Sequence, residues 1–160
     1  MDEFTSRRAL KLLQAGLDAV AAGNISSALA SFKASAELAP TADALTYWGW
    51  MEHHSGNTDR AIERCKRAID VDPDFGNPYN DIGSYLVGQG KLDEAIPWLE
   101  RATSAPRYEP RQFPHMNLGR IFLAQGLPLR ALKELERARE LAPNDEGIRQ
   151  MIAEIRVTLN

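Results

Sequence analysis

Met116-Asn117-Leu118-Gly119-Arg120-Ile121-Phe122, continued by Gly126-Leu127-Pro128-Leu129-Arg130-Ala131-Leu132 and closed by Ala138 and Pro143, carries the pattern that organises the chain. Its small residues stand at 119, 126, 131 and 138, and the same offsets recur three times upstream. Gly16, Gly49, Gly83 and Gly119 form one series, and Gly23, Gly56, Gly90 and Gly126 a second. Ala28, Ala61, Ala95 and Ala131 form a third, and Ser35, Ala68, Ala102 and Ala138 a fourth. Within every series the steps are 33, 34 and 36 residues. Eight of the eleven glycines fall into the first two series, so the chain is an internal repeat of four copies.

Apolar residues recur at helical spacing between the small ones. The first copy has Leu12, Ala15 and Ala19, then Ala28, Phe32 and Leu38; the fourth has Met116, Leu118 and Phe122, then Ala131, Leu132, Leu135 and Leu141. Each copy predicts two amphipathic helices of about 13 residues, near the usual helix length. The second-series glycines lie between them, where a left-handed residue ends a helix. Asn24 and Asn57 are placed to cap the following helix, and Pro128 falls in a first turn, where a missing N–H costs nothing. Pro40, Pro73 and Pro143 end second helices. A glycine inside a helix costs about 1 kcal/mol against alanine. Keeping one in all four copies predicts helices that cross where a larger side chain would clash.

These motifs resemble the tetratricopeptide repeat, a 34-residue helix–turn–helix unit with a large residue, Leu-Gly, Tyr, then Ala, a large residue and Pro. Leu118-Gly119-x-x-Phe122 with Ala131-x-x-x-Leu135 and Pro143 fits that order, as does Gly90-Lys91-Leu92-Asp93-Glu94-Ala95-Ile96. The departures are a first large position of Leu12, Leu45, Tyr79 or His115, never Trp, and Ala15 and Trp48 in place of the family Leu. The resemblance implies an all-α, right-handed superhelical α-solenoid. Its repeats are expected at 9–41, 42–75, 76–111 and 112–143, with a capping helix over 144–160. Ile148, Met151, Ile152 and Ile155 give that last segment one apolar stripe, as a solenoid end requires. The segment Ser104–Pro114, with Pro106, Pro110 and Pro114, holds the two extra residues of the longest step and is read as a longer, stiff loop between copies three and four, a tolerated insertion in preference to a binding loop.

Composition narrows the function. Nineteen basic residues against twenty-two acidic ones give a net charge of -3, which argues against a phosphate-backbone binder. One cysteine, Cys65, excludes an internal disulfide and a cysteine-built zinc site. His53 and His54 are adjacent, and adjacent helix residues do not share a face. No glycine-rich phosphate loop is present. No enzyme activity, cofactor or metal is expected. No apolar run is long enough to cross a bilayer, so no membrane insertion is expected. Met1-Asp2-Glu3-Phe4-Thr5-Ser6-Arg7-Arg8 is not a secretory signal, which predicts a cytoplasmic protein, or a periplasmic one if a leader has been removed.

In the resembling family the first helix of each pair lines a concave face that holds a segment of another protein. Carried onto this register, the groove consists of Leu13 and Leu17 in copy one and Tyr47, Trp50 and His54 in copy two. Copy three gives Asn80, Asp81 and Ser84; copy four gives Phe113, Asn117 and Arg120. Trp50, Tyr47 and Arg120 are of the types that dominate binding energy when desolvated. Asn80 and Asn117 can each both donate to and accept from a partner backbone. Trp48 falls in a core register. Asp43 and Asp81 suit a basic partner segment, and Arg120 an acidic one. One subtype of the family captures a C-terminal carboxylate with lysines and asparagines at set groove positions; this sequence lacks the lysines there, and Leu13, Leu17, Asn77 and Asp81 stand where the basic and amide groups would be needed.

The expected function is therefore a non-enzymatic scaffold or adaptor that binds a protein or peptide segment and no nucleic acid. The alternative is a dedicated chaperone for a hydrophobic client, like the small type III secretion chaperones of the same family, echoed by Glu109-Pro110-Arg111 and Phe113-Pro114-His115. Leu10, Leu12, Leu13, Leu17 and Val20 make the first helix apolar nearly all round. A helix of that kind is usually covered, which predicts a homodimer or a partner at this end.

Overall fold

The structure, a computed structural model, describes residues 2–159. Among them run nine α-helices: α1 (Glu3–Ala21), α2 (Ile25–Leu38), α3 (Ala42–His54), α4 (Thr58–Val71), α5 (Asn77–Gly88), α6 (Leu92–Ser104), α7 (Gln112–Ala124), α8 (Pro128–Leu141) and α9 (Glu146–Leu159). Each odd-numbered helix up to α7 packs on the helix that follows it, and each pair packs on the next, giving an all-α solenoid closed by α9. α1 starts at Glu3, six residues before the expected first repeat, because the Asp2 carboxylate accepts from the Thr5 N–H at 2.8 Å and caps it.

The turn inside each pair is made the same way four times. Gly23, Gly56, Gly90 and Gly126 have φ between 72° and 86°. The residue after each glycine donates its N–H to the carbonyl five residues back: Asn24 to Ala19, Asn57 to Glu52, Lys91 to Leu86 and Leu127 to Phe122, at 2.8 to 2.9 Å. This is the Schellman closure of a helix C-terminus. Asn24 also caps α2, accepting from the Ser27 N–H at 3.1 Å, whereas Asn57 makes no side-chain cap. The turn is fixed by its backbone, so the side-chain cap is an addition that copy two lacks.

In copies one, three and four the helix-interior glycine faces the residue 16 positions later. A Cβ on Gly16 would lie 2.5 Å from Phe32 Cδ1, one on Gly83 2.5 Å from Leu99 Cγ, and one on Gly119 2.8 Å from Leu135 Cγ. These three glycines thus open a hole for a large side chain, and a side chain at any of them would clash, as the sequence predicts. In copy two the residue 16 positions on is the small Cys65, and a Cβ on Gly49 would instead lie 3.0 Å from the Ala61 carbonyl oxygen and 3.2 Å from the Arg64 Cβ. Ala28, Ala61, Ala95 and Ala131 are fully buried. Ser35 replaces the alanine of the fourth series, and its hydroxyl donates to the Ala9 carbonyl at 2.8 Å, which tethers α2 to α1.

The apolar interior falls into two main clusters that meet at α4. One gathers Phe32, Leu45, Trp48, Met51 and Phe75. The other runs from Cys65 through Ile82, Leu99 and Leu135 to Ile148, Ile152 and Ile155 of α9. α3 touches α5 and α5 touches α7, so these first helices crowd along one side of the stack. α1 leaves Phe4 75% and Leu10 66% exposed, while Leu12, Leu13, Leu17 and Val20 are half-buried.

The proline-rich segment is not a free insertion. Pro106 stands two residues past the end of α6, just as Pro40, Pro73 and Pro143 follow α2, α4 and α8. The residues beyond it fold back onto the α4–α5 turn. The Gly76 N–H donates to the Arg107 carbonyl at 2.8 Å, and the Arg107 N–H to the Asp74 carbonyl at 3.0 Å. Tyr108 is buried against Gly76, where a Cβ would lie 2.5 Å from the Tyr108 Cβ.

Gly83→Ala is expected to destabilise the protein by about 1–3 kcal/mol through overpacking on Leu99. Gly88→Ala, with nothing within 4 Å, is expected to be neutral or stabilising by up to about 1 kcal/mol. Urea unfolding of the two variants beside the wild type measures both.

Candidate functional site

α3 brings three side chains to the inner side in sequence. Thr46 returns its hydroxyl to the Ala42 carbonyl at 2.7 Å and is thereby satisfied within its own helix. Tyr47 stacks on Phe32 with ring centres 5.0 Å apart, and Trp50 tilts against Tyr47 at 6.5 Å. His54 meets the Trp50 ring edge-on, its Nδ1 lies 3.0 Å from the Trp50 carbonyl oxygen, and the side chain is exposed. Trp48 points the other way into the core, with the Arg64 guanidinium 3.8 Å from its ring centre.

Between α3 and α5 lies a cavity of about 200 Å³, lined by Thr46, Tyr47, Trp50, Phe75, Asn77 and Asp81. It adjoins a wider concavity of about 460 Å³ that shares Tyr47, Phe75 and Asn77 and adds Asp43 and the loop around Arg107. Arg107 shapes that second wall. Its guanidinium lies 3.9 Å from the Phe75 ring centre and is 2.7 Å from Asp72 and 3.4 Å from Asp43. The Arg107 hydrogen bond holds the Asp72 carboxyl below the usual carboxylate range, and the same bond raises Arg107.

Asp81 is half-buried at the floor of the smaller cavity. Burial pushes its carboxyl up to about 7, and the neighbouring Asn80 side chain offsets only part of that. The neighbouring acids respond to burial first: Tyr47, Tyr85, Tyr108 and Cys65 are all raised, with the Asp81 charge next for Tyr85, Tyr108 and Cys65 and the Asp43 charge ahead of Asp81 for Tyr47. The Tyr85 hydroxyl is buried without a hydrogen-bond partner. Cys65 is fully buried and held as the neutral thiol, so it packs and is no nucleophile.

From Asn80, the neighbour of Asp81, a polar chain crosses to α7. The Asn117 amide donates to the Asn80 side-chain carbonyl at 3.0 Å, and Arg120 donates to the Asn117 carbonyl oxygen at 3.3 Å. The groove residues named from sequence therefore separate into three sets. Tyr47, Trp50 and Asp81 share the cavity; Asn80, Asn117 and Arg120 share the chain. Leu13 and Leu17 pack half-buried on the first cluster, away from the cavity, while His54, Ser84 and Phe113 are exposed. Phe75, Arg107 and Tyr108 were not among the residues expected there. They lie in inter-repeat segments on which the 34-residue pattern is silent; the aromatic side chains beside Pro73 and Pro106 were the available signal.

Among the described residues no group of three or more His, Cys, Asp or Glu side chains is placed to hold a metal. His115 and Glu134 form a half-buried pair at 2.7 Å that ties α7 to α8. No helix among the described residues is long and apolar enough to cross a membrane.

The family model of the tetratricopeptide repeat matches residues 13–74, 55–110 and 80–146, and the chain belongs to that family. Its repeat fold makes it a protein–protein interaction module. No curated protein matches the sequence significantly. Among solved structures it is similar to PilF of Pseudomonas aeruginosa, with a TM-score of 0.88 and 23% identity over 96% of this chain and 69% of that one. PilW, described as a widely conserved type IV pilus biogenesis factor, superposes with a TM-score of 0.84 at 18% identity, over 99% of this chain and 71% of that one. The first such domain of Spaghetti (RPAP3), solved with the HSP90 peptide SRMEEVD, gives 0.67 at 22% identity over 74% of this chain and 93% of that one.

The Asp81 carboxyl makes stability depend on pH with a definite sign. Unfolded, it ionises near 3.8; folded, near 7. Between those values the folded state binds more protons, so stability falls as pH rises from 4 to 7 and then levels. Asp81→Asn removes this term. At pH 8 the variant is expected to be more stable by on the order of 2 kcal/mol, allowing about 1.4 kcal/mol per unit and a discount for water access. The gap should close near pH 4, as urea unfolding across pH would record.

Proposed function

We propose that the chain is a scaffold that holds an extended segment of another protein along the face formed by α1, α3, α5 and α7. The observation that carries this reading is the continuous concavity from Trp50 to Arg111, whose walls offer rings, amides and charges. Arg120 and Phe113 continue the same face in solvent. The peptide bound by the RPAP3 domain supports a peptide as the class of occupant. An acidic tail of that kind does not suit this face, because α3, α5 and α7 contain no lysine and carry Asp43 and Asp81. The likeness to PilW makes type IV pilus biogenesis the first process in which to seek the partner.

Affinity capture with mass spectrometry from the native host tests this. Trp50→Ala combined with Arg120→Ala is expected to lower partner recovery at least tenfold, since buried aromatic and arginine anchors dominate binding. Glu63→Ala with Lys66→Ala, exposed on α4, should leave recovery unchanged. Retention of every partner by the first variant would refute the groove.

A homodimer through α1 belongs to the same reading, supported by the exposed Phe4 and Leu10. Light scattering of the purified protein is expected to give twice the chain mass, and Leu10→Glu the monomer. A wild-type monomer with no partner present counts against self-association.

A further inference from the structure

The cavity between α3 and α5 places a carboxylate among aromatic rings and leaves it without a counter-charge. Tyr47 from α3, Cys65 from α4, Tyr85 from α5 and Tyr108 from the loop feel the Asp81 charge, and all four are neutral acids at pH 7. His53, stacked on Tyr85 at 4.3 Å, is pushed down by burial and stays neutral as well. The arginines of the neighbourhood are engaged elsewhere. Arg107 is held by Asp72 and Asp43, Arg64 lies 3.4 Å from Glu52, and Arg120 bonds to Asn117. A half-buried acid without a cation costs stability, and folds keep such groups where function needs them.

The walls supply what a cation requires. Aromatic faces attract ammonium and guanidinium groups within about 6 Å. Arg107 already uses Phe75 in this way at the rim, 3.9 Å from the ring centre. A space of about 200 Å³ admits one long side chain and no folded element.

We propose that this cavity seats a lysine or arginine side chain of the partner segment, with Asp81 as its counter-charge and Tyr47, Trp50 and Phe75 as its stacking surface. This rests on the groove reading above and specifies its ligand: the segment carries a basic residue at the point where it crosses between α3 and α5. Because the cation pairs with the ionised carboxylate, its affinity rises as pH passes upward through the Asp81 transition.

The test is a titration of the isotope-labelled protein, followed by NMR at pH 6 and pH 8. The probes are capped pentapeptides in which a central arginine, lysine, norleucine or glutamate is flanked by alanines. Arginine and lysine peptides are expected to shift the Trp50 indole and Asp81 signals saturably, at least tenfold more tightly than norleucine, and more tightly at pH 8 than at pH 6. Asp81→Asn, a variant expected to gain stability, should reduce the preference to under twofold and abolish its pH dependence. Asp70→Asn, exposed on α4, should change neither. Equal binding of norleucine, preference for glutamate, or an undiminished preference in Asp81→Asn overturns the proposal while the groove stands. Failure of every peptide to shift any α3 or α5 signal overturns both.

Discussion

A glycine inside one helix facing a large side chain from the next is the contact on which the array depends. The separation is 16 residues in three of the copies: Gly16 with Phe32, Gly83 with Leu99, Gly119 with Leu135. A missing side chain on one helix sets how far the other can enter, and close-packed interiors turn that into a fixed crossing. Repeating the crossing at nearly constant spacing makes each pair a copy of the last, so the stack bends one way and its first helices share a side. Copy two keeps the glycine but not the large residue. There the Ala61 carbonyl and the Arg64 side chain close on Gly49 instead.

The concavity lies beside that exception. α3 carries Tyr47 and Trp50 on its inner side, and Phe75 and the docked loop close the far wall. The loop stays there for reasons that reinforce one another: two backbone bonds between 74–76 and Arg107, the Arg107 ring contact and ion pairs, and Tyr108 packed on a glycine that has no side chain to obstruct it. Exposed ion pairs alone would contribute at most about 1 kcal/mol. The burial of Tyr108 and the bonded backbone are what make the segment a wall of the site.

Nearly all of the fold was legible in the sequence because it follows from spacing. Four glycines at positive φ, four buried alanines and the helical stripe of α9 each left a periodic mark. Trp48 in the core followed from register alone. The site was legible only in part, because a groove depends on which neighbours meet, and meeting is not periodic. Tyr47, Trp50 and Asp81 were placed by register, but their union with Phe75 depends on an inter-repeat turn. The loop residues Arg107 and Tyr108 were hidden inside a length variation that looked like a tolerated insertion. Asn80 and Asn117 were recognised as paired capacities for bonding, yet nothing in the sequence showed that they bond to each other.

That last contact changes how the inner face should be understood. Asn80 on α5, Asn117 on α7 and the Arg120 guanidinium form one hydrogen-bonded line across the inner face, beginning at the residue next to Asp81. Such chains polarise along their length, so the state of one end is felt at the other. A partner that bonds its backbone to either amide must therefore use the remaining N–H groups or break the line, and the second course leaves a half-buried amide unsatisfied at about 1–3 kcal/mol. Recognition on this face is consequently weighted toward a ligand that fits the line as it stands, entering beside Asp81 without displacing the amides that already hold α5 and α7 in register.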